Sequence, residues 1–299
     1  MQKKTLSMAD STCALRIGGA VLFFAVGSRK ILWRRKEVLD MIHLQIKYLC
    51  LLVACTASTF SQIGWSAEWG NLKGRFIYDG SPPAPKKLVP TNDVAFCGKH
   101  KIPDERLIVN PENQGIADIV IYLRRKPSRI SPVYDATATA EVTLDNIDCR
   151  FEPHVQLVRS GQTLVIGNKD AVGHNTNFTV FANSLPNSLV PALGSFRAKL
   201  TETEPRPAKV ACNIHPWMSA VVVIKDHPYT AKTDKNGYFE IKHLPVGENM
   251  QFQFWHETAG YVRKVTGAKA KVSKKGRVKL NLDGDFDLGE IKVPPAIFE

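Results

Sequence analysis

Cys212-Asn-Ile-His215-Pro-Trp-Met218 gathers a thiol, an imidazole and a thioether within seven residues, and a second imidazole stands well upstream in Gly173-His174-Asn175. Side chains so far apart in the chain meet only if two separate loops are carried to one point, so the motifs constrain architecture as well as chemistry. One thiolate, two imidazoles and a weak axial thioether are the donor set of a blue-copper electron-transfer centre. The thiolate binds both copper oxidation states, the imidazoles complete a trigonal set, and the distant thioether tunes the potential.

The remainder of the chain reads as nearly all strand. Candidate strands are 73–78, 117–123, 140–144, 163–167, 209–212, 220–224, 238–241, 250–255, 269–272, 278–282 and 289–293, rich in Val, Ile, Phe and Tyr. Gly, Pro, Asn and Asp separate them, and Asp234-Lys-Asn236-Gly237 is a strong turn signal. No long amphipathic pattern is present. Short strands at this spacing predict an antiparallel sandwich. Cys212 then ends one strand, His215 and Met218 fall in the loop, and 219–224 is the next strand. Pro82–Pro85 and Pro205–Pro207 read as rigid loops, and much of 86–140 carries no functional signal.

Residues 1–67 read as a signal or targeting region. Short apolar runs, 18–26 and 48–57, are flanked by basic residues and fall below the roughly 20 residues that cross a bilayer. The layout from Met41 to Ala67 is that of a secretory signal, with cleavage after Ala67 and Met41 a plausible start. Leu52-Val53-Ala54-Cys55 matches a bacterial lipobox, so the expectation is either a plain signal peptide or a lipid on Cys55. The expected place is the periplasm or cell envelope. Of the net +12, nine basic and three acidic residues in 1–67 account for +6, leaving +6 beyond. No dense basic stretch alternates with aromatics, so nucleic-acid binding is not expected; a mildly basic face could steer docking to an acidic redox partner.

Cys97, Cys149 and Cys212 lie outside the leader. In an oxidising compartment two of the three should pair. Cys212 stands among metal donors, so Cys97–Cys149 is the expected disulfide.

The segments Asn168-Lys-Asp170-Ala-Val-Gly-His174-Asn175 and Cys212–Met218 resemble the cupredoxins, and the spacing of Cys212, His215 and Met218 resembles amicyanin in particular, over roughly residues 150–225. The resemblance implies a Greek-key β-sandwich, copper held by His174, Cys212, His215 and Met218, and Asn175 tying its loop to the cysteine loop. Thr233-Asp-Lys-Asn-Gly-Tyr-Phe239 through Leu244-Pro-Val-Gly247 is similar to carboxypeptidase regulatory-like, transthyretin-like sandwiches, and residues 74–83 resemble the first strand of such a domain. The expected organisation is an all-β chain: a cupredoxin-like domain over 68–225, with its core about 117–225, then a smaller sandwich over 226–299. Either the two are consecutive or 68–85 complete the second.

Each donor has a plainer use, since a single Cys or Met is usually packing and His215 before Pro suits a turn. Zinc is the chief metal rival, though a Met at loop spacing favours copper. The chain lacks the second loop Cys of a binuclear copper centre, the Cys-x-x-Cys-His of a c-type haem and the His-x-His of multicopper oxidases. No enzyme is therefore expected. The reading is a one-electron carrier serving c-type cytochromes or a periplasmic dehydrogenase; copper delivery, or an interaction module with a structural metal, are the alternatives. Trp217 serves either as core or as a docking surface. His154 reads as structural, with a metal-ligand or proton-linked role the alternative; His100 lies near Cys97, so a Cys/His-lined patch with His154 is conceivable, and a structural role is expected of Trp255-His256-Glu257.

Overall fold

The computed structural model describes residues 14–17, 20–23, 68–84 and 86–299. The expectations for Met41, Cys55 and Ala67 fall outside them. The chain divides into two units, Met1–Gly64 and Trp65–Glu299. In the first, β1 (Ala14–Ile17) and β2 (Ala20–Phe23) pair antiparallel, Ala14 opposite Phe23. Among the described residues no helix is long and apolar enough to cross a membrane.

The second unit is two β-sandwiches. In chain order its elements begin with β3 (Trp69–Tyr78), the one-turn helix α1 (Val94–Cys97), β4 (Val120–Leu123), β5 (Glu141–Ile147), β6 (Arg150–Glu152), β7 (Val155–Arg159) and β8 (Thr163–Asn168). There follow β9 (His174–Thr179), β10 (Ser188–Val190), β11 (Ser195–Lys199), β12 (Ala208–Ala211) and β13 (Ser219–Lys225). The last are β14 (Thr230–Lys232), β15 (Tyr238–Pro245), β16 (Asn249–His256), β17 (Gly260–Tyr261), β18 (Arg277–Asn281) and β19 (Phe286–Val293).

One sandwich sets the sheet β10-β9-β12-β13-β7 against β11-β8-β5-β6. Leu144, Phe151, Leu164, Ile166, Phe178, Val210, Val222 and Ile224 fill the space between them. The other sets β14-β4-β16-β17, with β18 also on β16, against β15-β3-β19, around Leu72, Phe76, Ile121, Phe239, Phe252 and Phe254. Here β3 is the central strand, antiparallel to β15 and parallel to β19. Its Gly74 is closely packed: a Cβ there would sit 3.0 Å from the Phe239 ring and 3.1 Å from Leu288 Cβ, so those side chains would have to shift.

The sequence reading needs three corrections. The core of the expected cupredoxin-like domain does not begin near 117, because Val120–Leu123 pairs with β16 and β14 in the other sandwich; a short, wholly apolar strand carries no mark of which sheet it will join. Three of the four sandwich sheets are mixed rather than antiparallel, through the parallel pairs β13–β7, β5–β8 and β19–β3, while the β14-β4-β16-β17 sheet is antiparallel throughout. And 269–272 forms no strand, only the bridge of Val272 to Val278.

The β13 run Ser219-Ala-Val-Val-Val-Ile-Lys225 is apolar on both faces because both are covered. Ala220, Val222 and Ile224 point into their own sandwich. Val221 and Val223 pack with Val155 against Val120, Tyr122 and Trp255 of the other. The two sandwiches thus share an apolar face.

Candidate metal centre

Three neighbouring strands converge on the motif residues. His174 is the first residue of β9, Cys212 follows the last of β12, and Met218 precedes the first of β13. Because β12 pairs antiparallel with both β9 and β13, the His174 end of β9 lies beside the 212–218 loop. That loop closes on itself, Met218 N–H donating to His215 O (2.9 Å) and Cys212 N–H to Met218 O (3.3 Å).

His174 Nδ1 and His215 Nδ1 stand 2.8 Å apart, and Cys212 Sγ lies 3.7 Å from His215 Nδ1. One ligand atom from each of the three residues falls within 4.8 Å of the others, all buried. The backbone N–H groups of Asn175 (3.5 Å) and His215 (3.3 Å) point at the sulfur. Burial would raise the Cys212 thiol, but the hydrogen bond from His174 and these N–H groups hold it below its ordinary value. Asn175 Oδ1 also accepts the N–H groups of Asn213 (2.6 Å) and Ile214 (3.2 Å), tying β9 to the cysteine loop. Met218 is buried in the same apolar cluster as Cys212.

The outer nitrogens of both rings meet carboxylates. His174 Nε2 lies 2.8 Å from Asp170 Oδ2, and His215 Nε2 lies 2.9 Å from Asp93 Oδ2. Asp170 also accepts the N–H groups of Asp148 (2.7 Å) and Cys149 (2.9 Å). Burial alone would raise its carboxyl; these donors, the His174 bond foremost, hold it below the usual range. Burial works against the charge on His174 too, and Asp170 and Cys212 outweigh it and lift the imidazole. For His215, burial and the neighbouring His174 depress the ring more than Asp93 raises it.

This arrangement fits a metal cation. Carboxylates at Nε2 keep the ring protons on that side, so two Nδ1 lone pairs and a sulfur face a single buried point. A soft thiolate beside two imidazoles suits copper and excludes magnesium or calcium, which prefer oxygen.

The other predicted residues are placed as follows. Cys97 and Cys149 form a disulfide with their Cα atoms 5.6 Å apart. Trp217 is half-buried, its ring 5.0 Å from that of His215 and its Nε1–H donating to Cys149 O (3.1 Å). His154 pairs with Glu257 (2.6 Å) and His100 with Asp148 (3.2 Å). His256 is buried against Phe298.

Sequence reasoning missed Asp93 and the role of Asp170. Asp170 was legible, one helical-turn-like step (i−4) before His174 in the segment already singled out. Asp93 gave no signal, since it lies in the stretch with no functional pattern.

No family model matches the chain, and no curated protein matches it. Among solved structures it is similar to a Cu(I) amicyanin variant, at 22% identity over 28% of this chain and 82% of that one, TM-score 0.26. It is also similar to the purple cupredoxin of Nitrosopumilus maritimus, at 22% identity over 29% of this chain and 99% of that one, TM-score 0.25. A third is the copper-containing nitrite reductase of Thermus scotoductus, at 20% identity over 28% of this chain, TM-score 0.24; the match spans 22% of that enzyme's length.

Proposed function

We propose that the chain is an exported mononuclear type 1 copper protein that carries single electrons and makes or breaks no substrate bond. The observation that carries this reading is the meeting of His174 Nδ1, His215 Nδ1 and Cys212 Sγ at one buried point, with carboxylates behind both rings. Copper bound there would supply a one-electron couple. Cys212 would contribute the thiolate, the two imidazoles the nitrogens, and Met218 the weak axial thioether. Asn175 holds the two ligand loops in register. Because the strands and disulfide fix the ligands before any electron arrives, little rearrangement accompanies transfer.

The partners proposed are c-type cytochromes or a periplasmic dehydrogenase, and the place is the periplasm or envelope. Both rest on the sequence: the leader pattern and the absence of catalytic companion motifs. Copper delivery is the weaker reading, because a donor site built for rapid exchange needs an open ligand and His215 is 0% exposed.

The test is Cu(II) addition to the purified protein with a visible spectrum. A strong thiolate-to-copper band is expected, abolished in Cys212→Ser, and a reversible couple shifted in Met218→Gln. A metal-loaded but colourless protein, as zinc would give, rejects the reading.

A further inference from the structure

Between β3 and β4 the chain leaves its own sandwich and crosses to the copper side. Residues 86–104 close on themselves, Leu88 N–H donating to Ile102 O (2.9 Å) and Asp104 N–H to Lys86 O (2.8 Å). Cys97 and Ile102 are buried in the copper-side core. The strap is fixed there by the Cys97–Cys149 disulfide, by Asn92 Nδ2 donating to Ile214 O (2.6 Å) and by Arg150 on Glu105 (2.8 Å).

Asp93 sits at the point of the strap nearest the centre. It precedes α1 as its N-cap, where an aspartate ordinarily accepts a backbone N–H of the first turn. It makes no such bond. Its carbonyl oxygen takes the N–H groups of Phe96 (2.9 Å) and Cys97 (2.8 Å), while its carboxylate turns to His215 Nε2 (2.9 Å). The backbone there is left-handed, φ 44° and ψ 39°, a conformation Asp tolerates but does not favour. A residue that gives up its cap and adopts strained backbone to reach one imidazole is held there by the surrounding structure.

We infer that Asp93 is a positioning residue for the copper centre: it keeps the His215 proton on Nε2 and the Nδ1 lone pair on the metal, and with the strap it seals that ligand from solvent. The inference rests on the copper reading and deepens it. His174 is oriented from within its own sandwich by Asp170; His215 is oriented from outside, by a segment strung between two strands of the other sandwich. Outer-shell carboxylates of this kind alter metal affinity about 10- to 100-fold. A purely structural surface pair, by contrast, would change neither the tautomer nor metal retention, because exposed pairs contribute little.

The test compares the full chain with Asp93→Ala and Asp93→Asn, each checked for folding by circular dichroism. In the metal-free protein, nitrogen NMR of His215 should show protonation at Nε2 in the parent and a mixture of tautomers in Asp93→Ala. In the copper-loaded protein, release to a competing chelator should be about 10-fold or more faster in Asp93→Ala, and Asp93→Asn, which keeps an acceptor, should recover much of the difference. An unchanged tautomer together with release within twofold of the parent overturns the inference. If the parent shows no thiolate-to-copper band, the copper reading fails by itself, and the metal-free tautomer still decides whether Asp93 orients the ring.

Discussion

Glu204 has a fully buried carboxylate with no cationic side chain on it, and it is held by donors alone. It accepts the N–H groups of Phe181, Ala182 and Asn183 and the Asn183 side-chain amide, each at 2.9 Å. Burial would raise its carboxyl, yet these bonds, Asn183 foremost, keep it below the usual range. Its own carbonyl takes the ammonium of Lys225 (2.5 Å), which also lies over the Tyr122 ring. Glu204 thus staples the turn after β9 to the strand shared by both sandwiches. Glu204→Ala strands several donors at once and should lower unfolding free energy by about 3 kcal/mol in a urea titration. A change under about 0.5 kcal/mol would mean that water replaces the carboxylate. At the metal centre the same residue-level logic separates what was readable from what was not. A Cys, a His and a Met at fixed short spacing announce donors, whereas a carboxylate that orients a donor carries no local mark, because its partner is 122 positions away.

At the scale of elements, local chemistry was legible and partnership was not. Asp234-Lys-Asn236-Gly237 forms the turn it predicts: Asp234 Oδ1 accepts the N–H groups of Asn236 (2.8 Å) and Tyr238 (2.9 Å). Gly237 has φ +82°, and a Cβ there would strike the Phe76 carbonyl. By contrast, the resemblance of residues 74–83 to a first strand left it open whether Trp69–Tyr78 would complete the C-terminal sandwich, and only the pairing with β15 and β19 decides it. The strap depends on a partnership of the same long-range kind. Its disulfide closes a separation of 52 residues, for which chain entropy predicts about 4 kcal/mol of stabilisation. Replacing Cys97 and Cys149 with Ser should therefore cost between about 2 and 5 kcal/mol by denaturant unfolding. It should also raise proteolytic cleavage within 86–104; an uncleaved strap would show that its hydrogen bonds suffice.

For the whole molecule, the shared apolar face is joined by Lys232, whose ammonium donates to Val155 O (2.9 Å), and by the His154–Glu257 pair. Buried histidines make this architecture sensitive to acid. Burial depresses His227 and His256 to about 4 each, against an ordinary 6.5. Neutral His227 is satisfied at both nitrogens, Nε2 on Leu123 O (3.0 Å) and Nδ1 accepting Tyr229 N–H (3.2 Å). As pH falls below 6.5 the unfolded chain takes up protons that the folded chain refuses. Stability present above 6.5 is thus lost down to about pH 4, by about 3 kcal/mol per histidine. His154 runs the other way. Burial opposes its charge, but the Glu257 bond prevails and raises it, so its contribution is present below 6.5 and fades as pH rises through the raised value. With His215, His227 and His256 depressed against His154 and His174 raised, Tm should fall between pH 6.5 and 4, and His227→Gln should make that fall shallower. A flat Tm over this window would refute the assignment.

The sequence by itself determined many of the strands, the 234–237 turn and the donor types, because each follows from side chains that are neighbours along the chain; the strands β6, β7, β9, β10, β11 and β14 carried no such local signal. Only the tertiary structure decided which strands share a sheet, that β3 and β4 serve the sandwich completed by the C-terminal strands, and that Asp93 stands behind His215. Those outcomes depend on which apolar faces and polar atoms find one another across a hundred or more positions, and chain order does not encode that distance.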